Sequence, residues 1–347
     1  MTLGSFLRKP GPLSGMIVVA AIITLAVAVL DTLVKPPFLQ RLEAELFDTH
    51  FQLRGKETPN PNIAIVAGDE RTAAALGHWP ISHTYLATAI DHLKQDGAKV
   101  ISFDILFPQE ETGAPAELRD LLNTIGQSLP AGSPMAQQVD QAIRAAGPDD
   151  AMAASMKAAD NVVLGFALDL GDAEVRGTEA PDYFGFWAYG TIDTHLIEGG
   201  TNAVGQTLGI LPPNEKIGKA AHSAGFVNVI PDIDYAARSE MMALRLGDDY
   251  YPSLSLATAA AYLGQDPDGI ALTIGDTWHT GTVQVGDRTI PVDAAGNTVV
   301  NYYGGTRTFP TYSLVDVVQG KFAPGTFKDK IVFVGVTLAA VHDLFKS

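Results

Sequence analysis

The chain contains no cysteine. That excludes a disulfide framework, a thiolate zinc site and a cysteine nucleophile together. Basic residues are scarce: 23 Lys and Arg stand against 39 Asp and Glu, for a formal net charge of −16. A surface this acidic repels phosphate backbones, and no local run of Lys and Arg offsets it, so nucleic acid is not a partner. The sequence also lacks a Gly-x-Ser-x-Gly elbow, a Gly-x-x-x-x-Gly-Lys phosphate loop and a His-Glu-x-x-His helix, so no motif marks it as an enzyme. Low-complexity tracts and internal repeats are missing too. What remains is 347 residues that are 46% hydrophobic and 18% charged, enough for one large domain or two ordinary ones with a sizeable core.

The longest apolar run, Met16 to Leu30, is broken only by Thr24, and Leu13, Gly15, Leu33 and Val34 extend it. This approaches the roughly 20 residues that cross a bilayer, and it predicts one transmembrane helix over 13–34. Arg8 and Lys9 precede the run, so residues 1–12 are expected in the cytoplasm and the acidic body outside. Arg8, Lys9 and Lys35 against Asp31 give residues 1–35 a net +2, which leaves −18 for the rest. A cleaved leader ending near Ala26-Val27-Ala28 is the competing reading, but the apolar run continues beyond that point and a helical pattern follows it.

After Pro36-Pro37, a helix is expected over 38–53. Leu39, Leu42, Leu46, Thr49 and Leu53 alternate by three and four, a short heptad seam. Such a seam either pairs with the same helix of a second copy or packs on its own domain.

In the body, 54–347, Ile63 to Ala67 reads as a buried strand ending at Gly68-Asp69-Glu70. Ser82 then caps a helix whose apolar positions are Tyr85, Leu86, Ala89, Ile90 and Leu93, and Ala98 to Ile105 is a second strand. Strand, helix and strand form a βαβ unit, so the sheet is expected to be parallel. The pattern repeats at 150–159 and 162–168. Two long excursions, 113–148 and 171–213, interrupt it, the second carrying Tyr183, Phe184, Phe186, Trp187 and Tyr189. Short strand-like stretches over 225–302 look antiparallel around a helix at 253–263, and Ile331 to Val334 is a last strand able to rejoin the parallel sheet. The expected fold class is therefore α/β, a mainly parallel sheet flanked by helices, with antiparallel additions and long insertions, preceded by one transmembrane helix.

Several segments, taken in order, resemble the type-two CHASE domain (CHASE2), a bacterial extracytoplasmic sensor domain. They are Phe47-Asp48, Ile65 to Glu70, His78-Trp79-Pro80, Gly97 to Asp104, and Gly225-Phe226-Val227-Asn228 leading to Asp232-Ile233-Asp234 and Arg238. Tyr251 to Leu254, Asn301-Tyr302-Tyr303-Gly304, and Lys330 to Gly335 with Asp343 complete the set. Where the family tends to show an arginine after Trp-Pro, this chain has His83, and the usual glycine after the second aspartate is Tyr235. The resemblance implies a periplasmic sensory domain on an inner-membrane anchor, a small extracytoplasmic ligand and a homodimer. It also implies a cytoplasmic output that lies outside this chain: most often an adenylate or guanylate cyclase, otherwise a histidine kinase, serine/threonine kinase or diguanylate cyclase. No cofactor is implied. A stand-alone anchored binding protein or metal-dependent hydrolase built on Asp69 and Asp104 is the alternative.

The candidate ligand-binding residues are Asp69, Trp79, His83, Asp104, Asp232, Asp234 and Arg238. Asp69 and Asp104 each close a predicted parallel strand, so both carboxylates are expected at the sheet's carboxyl edge, where α/β proteins bind ligands; capping of helices and turns is the plainer role for them. Asp232, Asp234 and Arg238 are expected to form a turn with an internal ion pair, since the remaining ligands and glycine of a calcium loop are missing. His78, His83 and His92 lack compact helical metal spacing, and Trp79 is expected to plug the sheet's end.

Overall fold

A computed structural model describes residues 12–33, 36–77, 79–171, 179–197, 202–276 and 279–338, with side chains in the first helix described from 15 to 27. Residues 1–11 of the predicted cytoplasmic segment, His78 and Asp343 lie outside the described residues. Two helices open the chain, α1 (Pro12–Leu33) and α2 (Pro37–Arg54). In α1 the described large apolar side chains, Met16, Ile17, Ile22, Ile23 and Leu25 among them, stand exposed. Among the described residues, no helix is long and apolar enough to cross a membrane.

The body is built on strands β1 (Ile63–Gly68), β2 (Val100–Asp104), β3 (Val162–Asp169), β4 (Thr191–Asp193), β5 (Gly209–Leu211), β6 (Ser223–Phe226), β7 (Ser239–Met241), β8 (Ala243–Leu246), β9 (Asp249–Pro252), β10 (Ile270–Thr273), β11 (Gly281–Val285), β12 (Arg288–Val292), β13 (Asn297–Val299), β14 (Thr311–Ser313) and β15 (Ile331–Val336). The main sheet runs β14-β1-β15-β2-β3, with β6 parallel and β5 antiparallel on β3. All its other pairings are parallel.

The expected βαβ unit forms, with helix His83–Gln95 capped by Ser82, whose hydroxyl accepts from the Thr84 N–H. Its two strands are not neighbours, because β15 inserts between them: Ile65 pairs Phe333 on one side, and Phe333 pairs Ser102 on the other. The last described strand is thus central, and the sheet closes only when residues some 230 positions apart meet. β6, expected among antiparallel strands, is parallel and belongs to this sheet. The excursion 113–148 is two helices, Ala116–Ser128 and Pro134–Ala146.

Both faces of the central strands are covered, which explains why they read as continuous apolar runs. Ile101 and Phe103 share a core with helices His83–Gln95 and Pro148–Ala159. Val100 faces Leu254 and Ala257 of helix Leu254–Tyr262, and the Ser102 hydroxyl meets that of Thr258 at 2.7 Å. That helix is apolar over most of its surface because cores lie on two of its sides: its Leu256 and Ala260 face a second core under the four-stranded sheet β12-β11-β10-β4, and Ser255, Ala259 and Tyr262 form a half-buried stripe. Within the aromatic cluster, Phe184 and Trp187 are core, their rings 4.6 Å apart, while Phe186 is exposed.

Gly225 is where β6 crosses the start of that helix. A Cβ there would stand 2.4 Å from the Ser253 carbonyl oxygen and 2.6 Å from the Leu254 Cα. Backbone atoms cannot swing aside as a side chain does, so Gly225→Ala is expected to cost about 2–3 kcal/mol, read as a lower chemical-denaturation midpoint with an unchanged slope.

Candidate functional site

Helix α2 starts at Pro37, whose fixed φ suits a first helical position, and ends as Gly55 turns out at φ 76°. One face carries Ala44, Phe47, Asp48 and Phe51 toward the body. Leu42, Leu46, Thr49 and Leu53 point outward, Leu42 being 44%, Leu46 55% and Leu53 80% exposed, with Leu39 half-buried between the faces. The helix therefore docks on its own domain through one side and keeps most of the heptad seam on the other.

The docking is centred on Arg238. The segment before β7 folds as a turn in which Tyr235 N–H donates to the Asp232 carbonyl at 2.9 Å and Asp232 N–H to the Ala236 carbonyl at 2.8 Å. Tyr235 takes a left-handed φ of 65°, the conformation for which glycine is suited, and its ring stays 73% exposed. The turn aims both aspartates at the guanidinium. Arg238 Nη1 donates to Asp232 Oδ2 and Asp234 Oδ1, each at 2.8 Å, and Nη2 donates to Asp234 Oδ2 at 2.7 Å. Its Nε and Nη2 donate to Asp48 Oδ1 and Oδ2 of helix α2, both at 2.8 Å. The expected internal ion pair is present, and Asp48 is the partner that sequence reasoning missed. The signal was Asp48 itself, quoted beside Phe47 as a matching piece but given no role, because nothing local connects positions 190 residues apart.

The electrostatics follow from this geometry. The Arg238 side chain is only 10% exposed, while Asp48, Asp232 and Asp234 keep 39–47% of theirs in water. Hydrogen bonds from Arg238 are the largest influence on Asp48 and Asp234, and they hold both carboxyls below the usual aspartate range. The same bonds, led by that to Asp234, push Arg238 up.

Around this clamp, Phe51 stacks edge-on with Tyr302 at 6.1 Å. Arg54 lies 4.4 Å over the Phe51 ring and donates to Asn301 Oδ1 at 2.5 Å and to the Tyr302 carbonyl. The Tyr302 hydroxyl in turn donates to the Ala237 carbonyl. Three motifs that are far apart in the chain, at 47–48, 232–238 and 301–304, thus form one locus. Two clefts flank Arg238, one of about 620 Å³ bordered by Phe51, Lys56, Tyr302 and Gly304, the other of about 370 Å³ bordered by Gln40, Ala44, Ile233 and Val299.

The other candidates lie elsewhere. Asp69 caps helix Glu70–Leu76: its Oδ1 accepts from Thr72 N–H at 3.0 Å, Thr72 Oγ1 at 2.9 Å and Ser313 Oγ at 2.6 Å, joining β1 to β14. Burial pushes that carboxyl up, and the Ser313 and Thr72 bonds more than offset it, so it titrates below the usual range. Asp104 stands on the same carboxyl edge, but in register with Gly335 of the intervening β15. Trp79 leans on the end of β1, where a Cβ on Gly68 would be 3.0 Å from its ring. His83 belongs to a separate group with Glu111 and Asp149.

Arg238→Ala removes every hydrogen bond of the clamp, and is expected to destabilise the chain by about 1–3 kcal/mol, the half-solvated carboxylates limiting the loss. Because the folded-state pKa values of Asp48 and Asp234 are depressed, their contribution is full above the unfolded value of about 3.9 and fades as pH falls below it. Thermal unfolding of wild type and variant should therefore differ by a constant amount from pH 5 to 8 and converge in stronger acid.

The CHASE2 domain family model matches residues 19–347. No curated protein and no solved structure matches the chain.

Proposed function

As the chain belongs to the CHASE2 family of extracytoplasmic sensory domains, we propose that its body is the periplasmic input of an inner-membrane receptor, attached through the apolar segment 13–34 and read out through α2. The observation that carries this reading is the Arg238 clamp, in which Asp48 ties the helix leading from α1 to the sensory body. A small ligand entering a cleft beside Arg238 and preferring one pose of α2 shifts the population toward that pose. The outward seam of Leu42, Leu46, Thr49 and Leu53 pairs with the same seam of a second copy, so that a change in docking becomes a change in helix pairing. The output joined to this input is an adenylate or guanylate cyclase by family habit, with a kinase or diguanylate cyclase as the other forms.

Two measurements test the reading. The absence of cysteine makes single-cysteine cross-linking clean: in membranes, Leu46→Cys is expected to give a disulfide-linked dimer on mild oxidation, and Arg41→Cys, about 100° around the helix from Leu42, far less. Equal yields would remove the paired seam. For the output, an antibody against residues 60–340 is expected to detect a native polypeptide well above 36.7 kDa. A band at that mass would leave an anchored binding protein instead.

A further inference from the structure

Among the described residues, one group brings a histidine and two carboxylates together from distant parts of the chain. His83 is the first residue of helix His83–Gln95, Glu111 lies in the loop after β2, and Asp149 is in the first turn of helix Pro148–Ala159. One ligand atom from each lies within 4.8 Å of the others. His83 Nδ1 is 2.5 Å from Asp149 Oδ1 and 3.7 Å from Glu111 Oε2.

Each donor is aimed by bonds that leave its inward atom in place. His83 N–H donates to Glu111 Oε2 at 2.6 Å, Glu111 N–H to Asp149 Oδ1 at 3.3 Å, and Asn214 Nδ2 to Asp149 Oδ2 at 3.0 Å. Asn214 is itself fixed by its N–H to the Phe107 carbonyl at 2.7 Å and by Nδ2 to the Gln109 carbonyl at 3.3 Å. The Phe107 ring meets the imidazole edge-on at 5.2 Å. Such outer bonds are what orient ligands around a metal.

Charge points the same way. The Asp149 side chain is 4% exposed and that of His83 14%, so two carboxylates share a largely desolvated pocket. The cations of that neighbourhood are engaged next door: Arg119 pairs with Asp150 at 2.7 Å, and Lys216 with Asp150 at 3.2 Å and Glu110 at 3.6 Å. Among the described residues, no Lys or Arg side chain pairs with Glu111 or Asp149, and His83 is the basic group that meets them.

We propose that His83, Glu111 and Asp149 bind a divalent cation of borderline character, of the class of Zn²⁺, with water completing the shell from the Glu111 side, where that side chain is 30% exposed. The ion replaces the hydrogen bond between His83 Nδ1 and Asp149 Oδ1, whose proton passes to solvent, and a separation of 2.5 Å opens to the roughly 3 Å between neighbouring ligands of one ion. The ion ties the loop after β2 to the starts of two helices that pack against each other over the main core.

The test is calorimetric titration of the full chain in detergent, stripped with chelator, with ZnCl₂ alone. One ion per chain is expected, with a rise in unfolding temperature, at least about tenfold weaker binding in Glu111→Gln and loss of the site in His83→Ala. Glu111→Gln keeps a carbonyl oxygen for the His83 N–H, so it decides the matter if His83→Ala fails to fold. Uptake equal in wild type and Glu111→Gln would place the metal on exposed pairs such as Asp193–His195 and Asp276–His279 and overturn the proposal. No uptake by folded wild type would do the same.

Discussion

The Arg238 guanidinium offers five N–H donors in one plane, and its hydrogen bonds reach three carboxylates from two separate parts of the chain. A lysine, with a compact ammonium on a flexible stem, cannot hold two carboxylates edge-on while bridging to a third. The arrangement is tolerable because its charges are unequally buried. The cation is shielded and the anions remain half in water, so three negative charges around one positive are screened rather than trapped. The turn at 232–236, the extension of β13 toward Tyr302 and the pose of α2 all meet at this one side chain.

In the proposed relay, this is also the point at which binding energy would do its work. Moving a two-state equilibrium from about 1:99 to 99:1 takes about 5.5 kcal/mol. A bidentate pair with a half-exposed aspartate supplies part of that, and the Phe51–Tyr302 contact and the Arg54 bonds to Asn301 and Tyr302 must change with it. The helix is fastened by several modest contacts along one face.

The convergence of motifs has a simple geometric cause. β7 and β13 pair antiparallel, Met241 with Asn297 and Ser239 with Val299, and that pairing carries 232–238 alongside 299–304. Val300 N–H continues it to the Arg238 carbonyl at 2.9 Å. Residues that read as unrelated turns become the floor on which α2 lies.

Local sequence determined much. The apolar runs at 63–67, 98–105, 162–168 and 331–334 became strands of one parallel sheet, Ser82 capped its helix, and the Asp232-x-Asp234 turn closed on Arg238, because strand burial, capping and short-range ion pairing act over a few residues. The seam of helix 38–53 was legible too, since helical spacing sorts faces without help. Tertiary structure alone decided that β15 enters between β1 and β2, separating Asp69 from Asp104, that β6 runs parallel, that Asp48 joins Arg238, and that His83 meets Glu111 and Asp149. Each of these depends on segments brought together by burial of both sheet faces, and burial is blind to sequence distance: a strand joins wherever apolar surface is open and its backbone groups find partners.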